Sequence, residues 1–133
     1  MKWIKPSPAR SRTMALIKGR GNKTTELRFV KLLRRHKIRG WRRGSKLPGR
    51  PDFVFARERV VVFVDGDFWH GHPIRFRCPK TNSTYWRMKI RGNKRRDREI
   101  NSLLTGMGWK VVRYWESSLR DGDTIAEELK LLL

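Results

Sequence analysis

Cysteine is nearly absent: Cys78 stands alone among 133 residues, so no intramolecular disulfide can form. That usage suits a reducing compartment. Acidic residues are also scarce, with 12 Asp and Glu against 33 Lys and Arg and a formal net charge of +21. No apolar run approaches the length of a membrane span. The basic start, MKWIKPSPARSR, lacks the apolar stretch of a signal peptide. No repeat and no long linker divides the chain. A soluble, single-domain intracellular protein is expected, large enough to fold around one core without disulfide staples.

What is abundant is positive charge. A folded domain this basic calls for a polyanionic partner, most often nucleic acid. Its binding should weaken steeply with salt, because phosphate contacts release counterions. The charge is uneven. Residues 1–50 hold 17 Lys and Arg and one acid, Glu26, whereas residues 51–133 hold 16 Lys and Arg and 11 acids. The acids gather either where a cation or proton transfer uses them or simply on another solvated face.

Residues 1–20 read as a basic arm and 21–133 as the folded domain, with a short helix over Ser11–Lys18 broken at Gly19–Asn22. Thr24 or Thr25 caps a helix to about Lys37, with Leu27, Val30 and Leu33 as its apolar stripe. Gly40–Gly44 suggests a short strand and Pro48–Pro51 a rigid turn. Asp52–Phe55 and Val60–Val64 read as strands joined by the turn Ala56–Arg59, the second central because VVVFV is continuously apolar. Gly66–Thr81 is irregular. One helix starts near Thr84, and a second is capped by Asn93 and stopped by Gly108. Trp109–Trp115 is a strand, and Asp123 caps a last helix to Leu133. This order gives an α/β sandwich.

Asp52 opens one strand and Asp65 closes the next, so adjacent strand ends bring two carboxylates together. A hard cation such as magnesium stabilises such a pair and can activate water against a phosphodiester. Alternatively, Asp52 caps a turn and Asp65 merely ends a strand. His70 and His72 lie in VDGDFWHGHP, where a histidine can act as general base or orient water; two surface histidines fit equally. A zinc site from Asp67, His72 and Cys78 lacks paired-cysteine spacing. Phe68 and Trp69 suit stacking or wedging between base steps. Trp86 fits that use or the packing of a helix. Lys94, Arg95, Arg96 and Arg98 surround an expected helix start, a setting that favours phosphate, or form a solvated face. Asp97 among them either pairs with an arginine or supports a histidine.

Four blocks occur in order: LPGRPDFVF at 47–55, FVDGDFWHGH at 63–72, STYWRMKIRGNKRRD at 83–97 and GWKVVRYWESSL at 108–119. With SRTMALIKGRGNKTTELRFVKLL at 11–33, they resemble the very-short-patch repair (Vsr) endonuclease family. The resemblance implies a PD-(D/E)xK-like three-layer sandwich, a mixed central sheet flanked by helices. It implies magnesium-dependent nicking of double-stranded DNA beside a thymine–guanine mismatch. By position, Asp52 and the Val64 backbone carbonyl would hold the metal. His70 would be the base, supported by Asp97, and Glu26 an acid at the site. Phe68, Trp69 and Trp86 would open the base stack. Arg50, Lys94, Arg95 and Arg96 would contact DNA, and Arg12, Met14 and Lys18 of the arm would grip its minor groove.

The chain departs from the family's pattern at Asp65, Asp67, Pro73 and Ser117. Asp65 restores a second metal-ligating carboxylate, and no structural zinc is expected. The expected partner is duplex DNA, bound by a monomer, with accessory repair or replication proteins as candidates. The expected place is the nucleoid, or the host cytosol for a phage or mobile element. Rival readings are a homing- or restriction-type endonuclease on the same fold, and a non-catalytic basic DNA-binding protein.

Overall fold

The computed structural model describes residues 23–133; the arm at 1–20, its short helix and its break lie outside the described residues. The order is α1 (Lys23–Arg35), β1 (Trp41–Arg42), β2 (Phe53–Phe55), β3 (Val60–Asp65), α2 (Ser83–Gly106), β4 (Lys110–Trp115), a 3₁₀ turn (Glu116–Asp121) and α3 (Gly122–Leu132). The four strands form one sheet in the order β1-β2-β3-β4. The first three are antiparallel; β3 and β4 are parallel, with Val60 opposite Lys110 and Asp65 opposite Trp115. A parallel pair needs a long crossover, and α2 supplies it.

Strand alternation sorts the core into two halves. Phe53, Phe55, Val60, Val62 and Val64 pack with Phe29 and Leu33 of α1 and Ile125 and Leu129 of α3. Val54, Val61 and Phe63 face the other way, onto Leu104 of α2, with Ile100 and Val111 beside them. The result is three layers, with helices on both faces of a mixed sheet. Every residue of β3 is buried, as its apolar run predicts. Phe29, Phe53 and Phe55 are fully buried. Burial of each such ring contributes about 1.5–3 kcal/mol.

Four expectations change. Leu27 is half exposed and Phe29 takes its place in the α1 stripe. Thr25 lies inside α1, and its hydroxyl donates to Glu116 at 3.1 Å instead of capping. The two helices expected after Thr84 are one 24-residue helix, with Asn93 inside it. Gly92 weakens such a helix only by about 1 kcal/mol relative to alanine, and tertiary packing overrides that. Asp121, not Asp123, caps α3, accepting from the Thr124 amide. Asp123 instead pairs with His36 at 3.1 Å.

Two glycines let the segments before β2 and after β3 lie against α2. Gly49 has φ +74° and a Cβ there would stand 2.6 Å from Ile100; Gly71 has φ +65° and would meet Ile90 at 2.6 Å. Both conditions oppose a side chain. Gly71→Ala is expected to destabilise the protein by about 1–3 kcal/mol, read as a lower urea midpoint. An unchanged midpoint would show that the loop is not packed this closely.

Candidate functional site

Asp52 has the strand parity of Val54, and Asp65 that of Val61 and Phe63, so both point to the α2 face. Arg113 shares the parity of Val111 and points the same way. Parity also fixes α2: Trp86, Ile90, Asn93, Asp97, Ile100, Asn101 and Leu104 recur at helical spacing toward the sheet. Asp52, Asp65, His70, Asp97 and Arg113 therefore meet in one cleft of about 540 Å³, beyond the carboxyl end of β3.

Register explains the place of Asp52. The β2–β3 pairing ends at Phe53 opposite Val62, which leaves the Val64 amide without a strand partner on that side. The Asp52 carboxylate accepts from it at 2.7 Å. In an extended strand a residue's N–H and C=O face the same edge, so the Val64 carbonyl also opens beside Asp52. Burial, with the nearby charges of Glu26 and Asp65, pushes the Asp52 carboxyl up to about 7 against the help of that hydrogen bond. A buried oxygen set whose anionic form is this costly, with a carbonyl beside it, fits a hard divalent cation.

His70 sits on a tight turn, its amide donating to the Gly66 carbonyl at 3.1 Å. Its Nδ1 lies 2.6 Å from Asp97 Oδ2 and 3.8 Å from Asp65 Oδ1. Burial lowers its pKa, but the Asp97 hydrogen bond and the charges of Asp65 and Asp97 outweigh this and leave it above the ordinary value. With Nδ1 on Asp97, Nε2 is the nitrogen available to a reacting water. Asp65 is raised by burial, against the favourable charges of His70 and Arg113. Both its oxygens accept from Arg113 Nη1, at 2.9 and 3.2 Å. Among the described residues, Asp65, His70 and Asp97 form the group able to offer three metal ligand atoms, all within 4.8 Å of one another.

The other candidates divide. Glu26 is ion-paired with Arg43 and lies close enough to Asp52 to raise its pKa. Phe68 and Trp69 are half-buried and meet edge to face at 5.5 Å. Trp86 is only 2% exposed, packed beneath both. The expectation of Trp86 as a wedge is therefore corrected: it is the floor on which the other two rest. Arg50 and Arg96 line the cleft, and Lys94 lines a neighbouring cavity beyond His70. Arg95 lies exposed on α2 away from both. The arginine run stands mid-helix, so no helix end assists it. Arg12, Met14 and Lys18 lie outside the described residues.

Asp67, His72 and Cys78 have separate partners. Asp67 accepts from the Ser117 hydroxyl at 3.2 Å. His72 Nδ1 accepts from the Ile74 and Arg75 amides, and its ring lies 4.7 Å from Trp115. The Cys78 thiol faces the Pro79 and Ser83 carbonyls. Asn93 donates to the Trp69 carbonyl at 2.9 Å and so fastens the aromatic loop to α2. Sequence reasoning missed Arg113 and the positioning role of Asn93. The signal for Arg113 was there: a lone cation at an inward position of an apolar strand.

The family described as DNA mismatch endonuclease Vsr matches residues 4–75. The chain is similar to the type II nicking enzyme V.NaeI of Lentzea aerocolonigenes, at 48% identity over 56% of the chain and 45% of that protein. It is similar to the DNA mismatch endonuclease Vsr of Escherichia coli K12, at 42% over 63% of the chain and 54% of the relative. With the type II nicking enzyme V.NmeDIP of Neisseria meningitidis it shares 36% over 90% of the chain and 81% of the relative. The chain thus spans about half the length of the first two, but most of the third. With the family matched over more than half of its length, the chain belongs to the Vsr family of DNA mismatch endonucleases.

Proposed function

We propose that this protein is a magnesium-dependent endonuclease that nicks one strand of duplex DNA beside a mismatch. The observation that carries the reading is a part-buried Asp52, whose anionic form is costly, in one cleft with a His70 whose Nδ1 is held by Asp97 at 2.6 Å. Asp52 and the Val64 carbonyl would hold the metal, with the buried Asp65 beside them as the second carboxylate. When bound, the ion supplies positive charge to the scissile phosphate and makes a nearby water more acidic. His70 Nε2 takes the proton of the attacking water, and Asp97 stabilises the imidazolium that forms. Glu26 keeps the approach to Asp52 anionic. Arg50, Lys94 and Arg96 hold backbone phosphates, Arg95 adds to the basic face, and the arm at 1–20 adds contacts in the minor groove. Phe68 and Trp69, supported by Trp86, unstack bases at the mismatch. Duplex DNA is the partner, bound by one copy, and the cytoplasm the place. Among the described residues no helix is long and apolar enough to cross a membrane.

The decisive assay incubates the protein and magnesium with matched and T:G-mismatched duplexes labelled on both strands. One-strand breaks confined to the mismatched duplex are expected. Cuts in both strands of a matched duplex would favour the restriction- or homing-type alternative. Binding without breaks would favour the non-catalytic one. Asp52→Asn should abolish cleavage while DNA affinity stays equal or tightens. His70→Ala should slow single-turnover cleavage by about 10²–10⁴-fold, and an unchanged rate would remove it as the base.

The electrostatics also predict a pH dependence. Without metal, Asp52 keeps its proton up to about 7, well above its ordinary 3.8. Between these values the folded state binds more protons than the unfolded state, so stability falls as pH rises. His70 acts in the same direction, because its raised pKa contributes stability that is lost at higher pH. The metal-free protein should therefore melt several degrees lower at about pH 8 than at about pH 5, with Asp52 alone losing about 3 kcal/mol over that window. Magnesium should raise the melting point clearly at the higher pH and little at the lower. A melting point that climbs with pH in EDTA would contradict this account.

A further inference from the structure

Strand β4 carries two cations, the exposed Lys110 and Arg113, which shares the inward parity of Val111, and burying a guanidinium is costly. Its surroundings fix it from three sides. The guanidinium carbon lies 4.0 Å over the Phe63 ring. Nε donates to Asn101 Oδ1 at 2.7 Å. Nη1 donates to both oxygens of Asp65 and stands 3.7 Å from Asp97 Oδ1. Nη2 is buried with no hydrogen-bond partner among the described residues. A buried ion pair with an unmet donor is poor design for stability alone, so position is the better reason for it.

What it positions follows from the competition at His70. Two carboxylates face one Nδ1, Asp97 Oδ2 at 2.6 Å and Asp65 Oδ1 at 3.8 Å. Either can accept that proton, but only one places the ring as seen. Arg113 takes both oxygens of Asp65 and steadies the second oxygen of Asp97. Asn101, one helical turn beyond Asp97, ties the same guanidinium to α2. We infer that Arg113 is a positioning residue which withdraws Asp65 from His70, so that Asp97 alone accepts the Nδ1 proton and sets the imidazole's orientation. This rests on the reading of His70 as the base and adds to it a residue that touches neither the DNA nor the metal.

The test uses Arg113→Lys and the charge-neutral pair Asp65→Asn with Arg113→Met in the full chain. Lysine keeps the charge but cannot span Asp65, Asp97 and Asn101 together. The paired variant leaves no carboxylate unmatched and should melt close to wild type. At saturating magnesium, Arg113→Lys should lower single-turnover cleavage by roughly 10–100-fold with unchanged DNA affinity, whereas the paired variant, which lacks the competing carboxylate, should lose much less. In proton spectra at alkaline pH, His70 of the wild type should give one Nδ1–H signal, shifted downfield by the Asp97 hydrogen bond, and Arg113→Lys a signal moved upfield or doubled. Wild-type rates in Arg113→Lys would overturn the inference. If the wild type cuts no duplex, the proposed function fails, and the spectra still decide: an unaltered His70 Nδ1–H signal in Arg113→Lys overturns the positioning role.

Discussion

The site depends on the alternation of a six-residue strand. Every side chain of β3 is buried, and a strand buried on both faces cannot slip by one residue without exchanging its two faces. That constraint sends Val60, Val62 and Val64 toward α1 and α3, and Val61, Phe63 and Asp65 toward α2. A single apolar ladder thus decides that Asp65 faces α2. The same register makes β2 stop short of Val64, so Asp52 completes the ladder with its side chain. The group proposed to hold a metal is therefore also a structural acceptor, and its position is as fixed as the sheet itself.

Around that ladder, charge is arranged by sign. The surface is strongly cationic, while the described acids nearest the cleft are buried or paired. The positive exterior favours a polyanion at long range. The interior gathers carboxylates whose anionic forms are costly and which a cation or a proton would relieve. Among the described residues Asp52 has no cationic side chain hydrogen-bonded or ion-paired to it, whereas Asp65 has Arg113 and Asp97 has His70. The three carboxylates therefore have different chemistry despite lying in one cleft.

Much of this was legible in the chain. The VVVFV run announced the central strand, and Asp52, Asp65, His70 and Asp97 stood out by type and place. The ordered motifs supplied the family. What stayed hidden depends on tertiary partners. Asn93 looked like a helix cap because asparagine favours caps, yet it serves a loop carbonyl 24 positions away. Thr25 looked like a cap for the same reason, yet it serves Glu116. Trp86 could not be separated from Phe68 and Trp69 by composition, since only packing shows which ring lies underneath. Arg113 was visible as an oddity in β4, but its meaning required knowing which two acids flank it.

The fastening of the Phe68–Trp69 loop has a mechanical consequence. Asp67 is tied to Glu116 and Ser117 at one side, Asn93 grips the Trp69 carbonyl, and Trp86 fills the space below. Such a mounting leaves the protein side of the interface with little compliance. If these rings meet a duplex, the softer body is the DNA, and the cost of contact is set by how readily its base steps part. A rigid probe of that kind senses the stiffness of its substrate: a well-stacked step resists it and a poorly paired one yields.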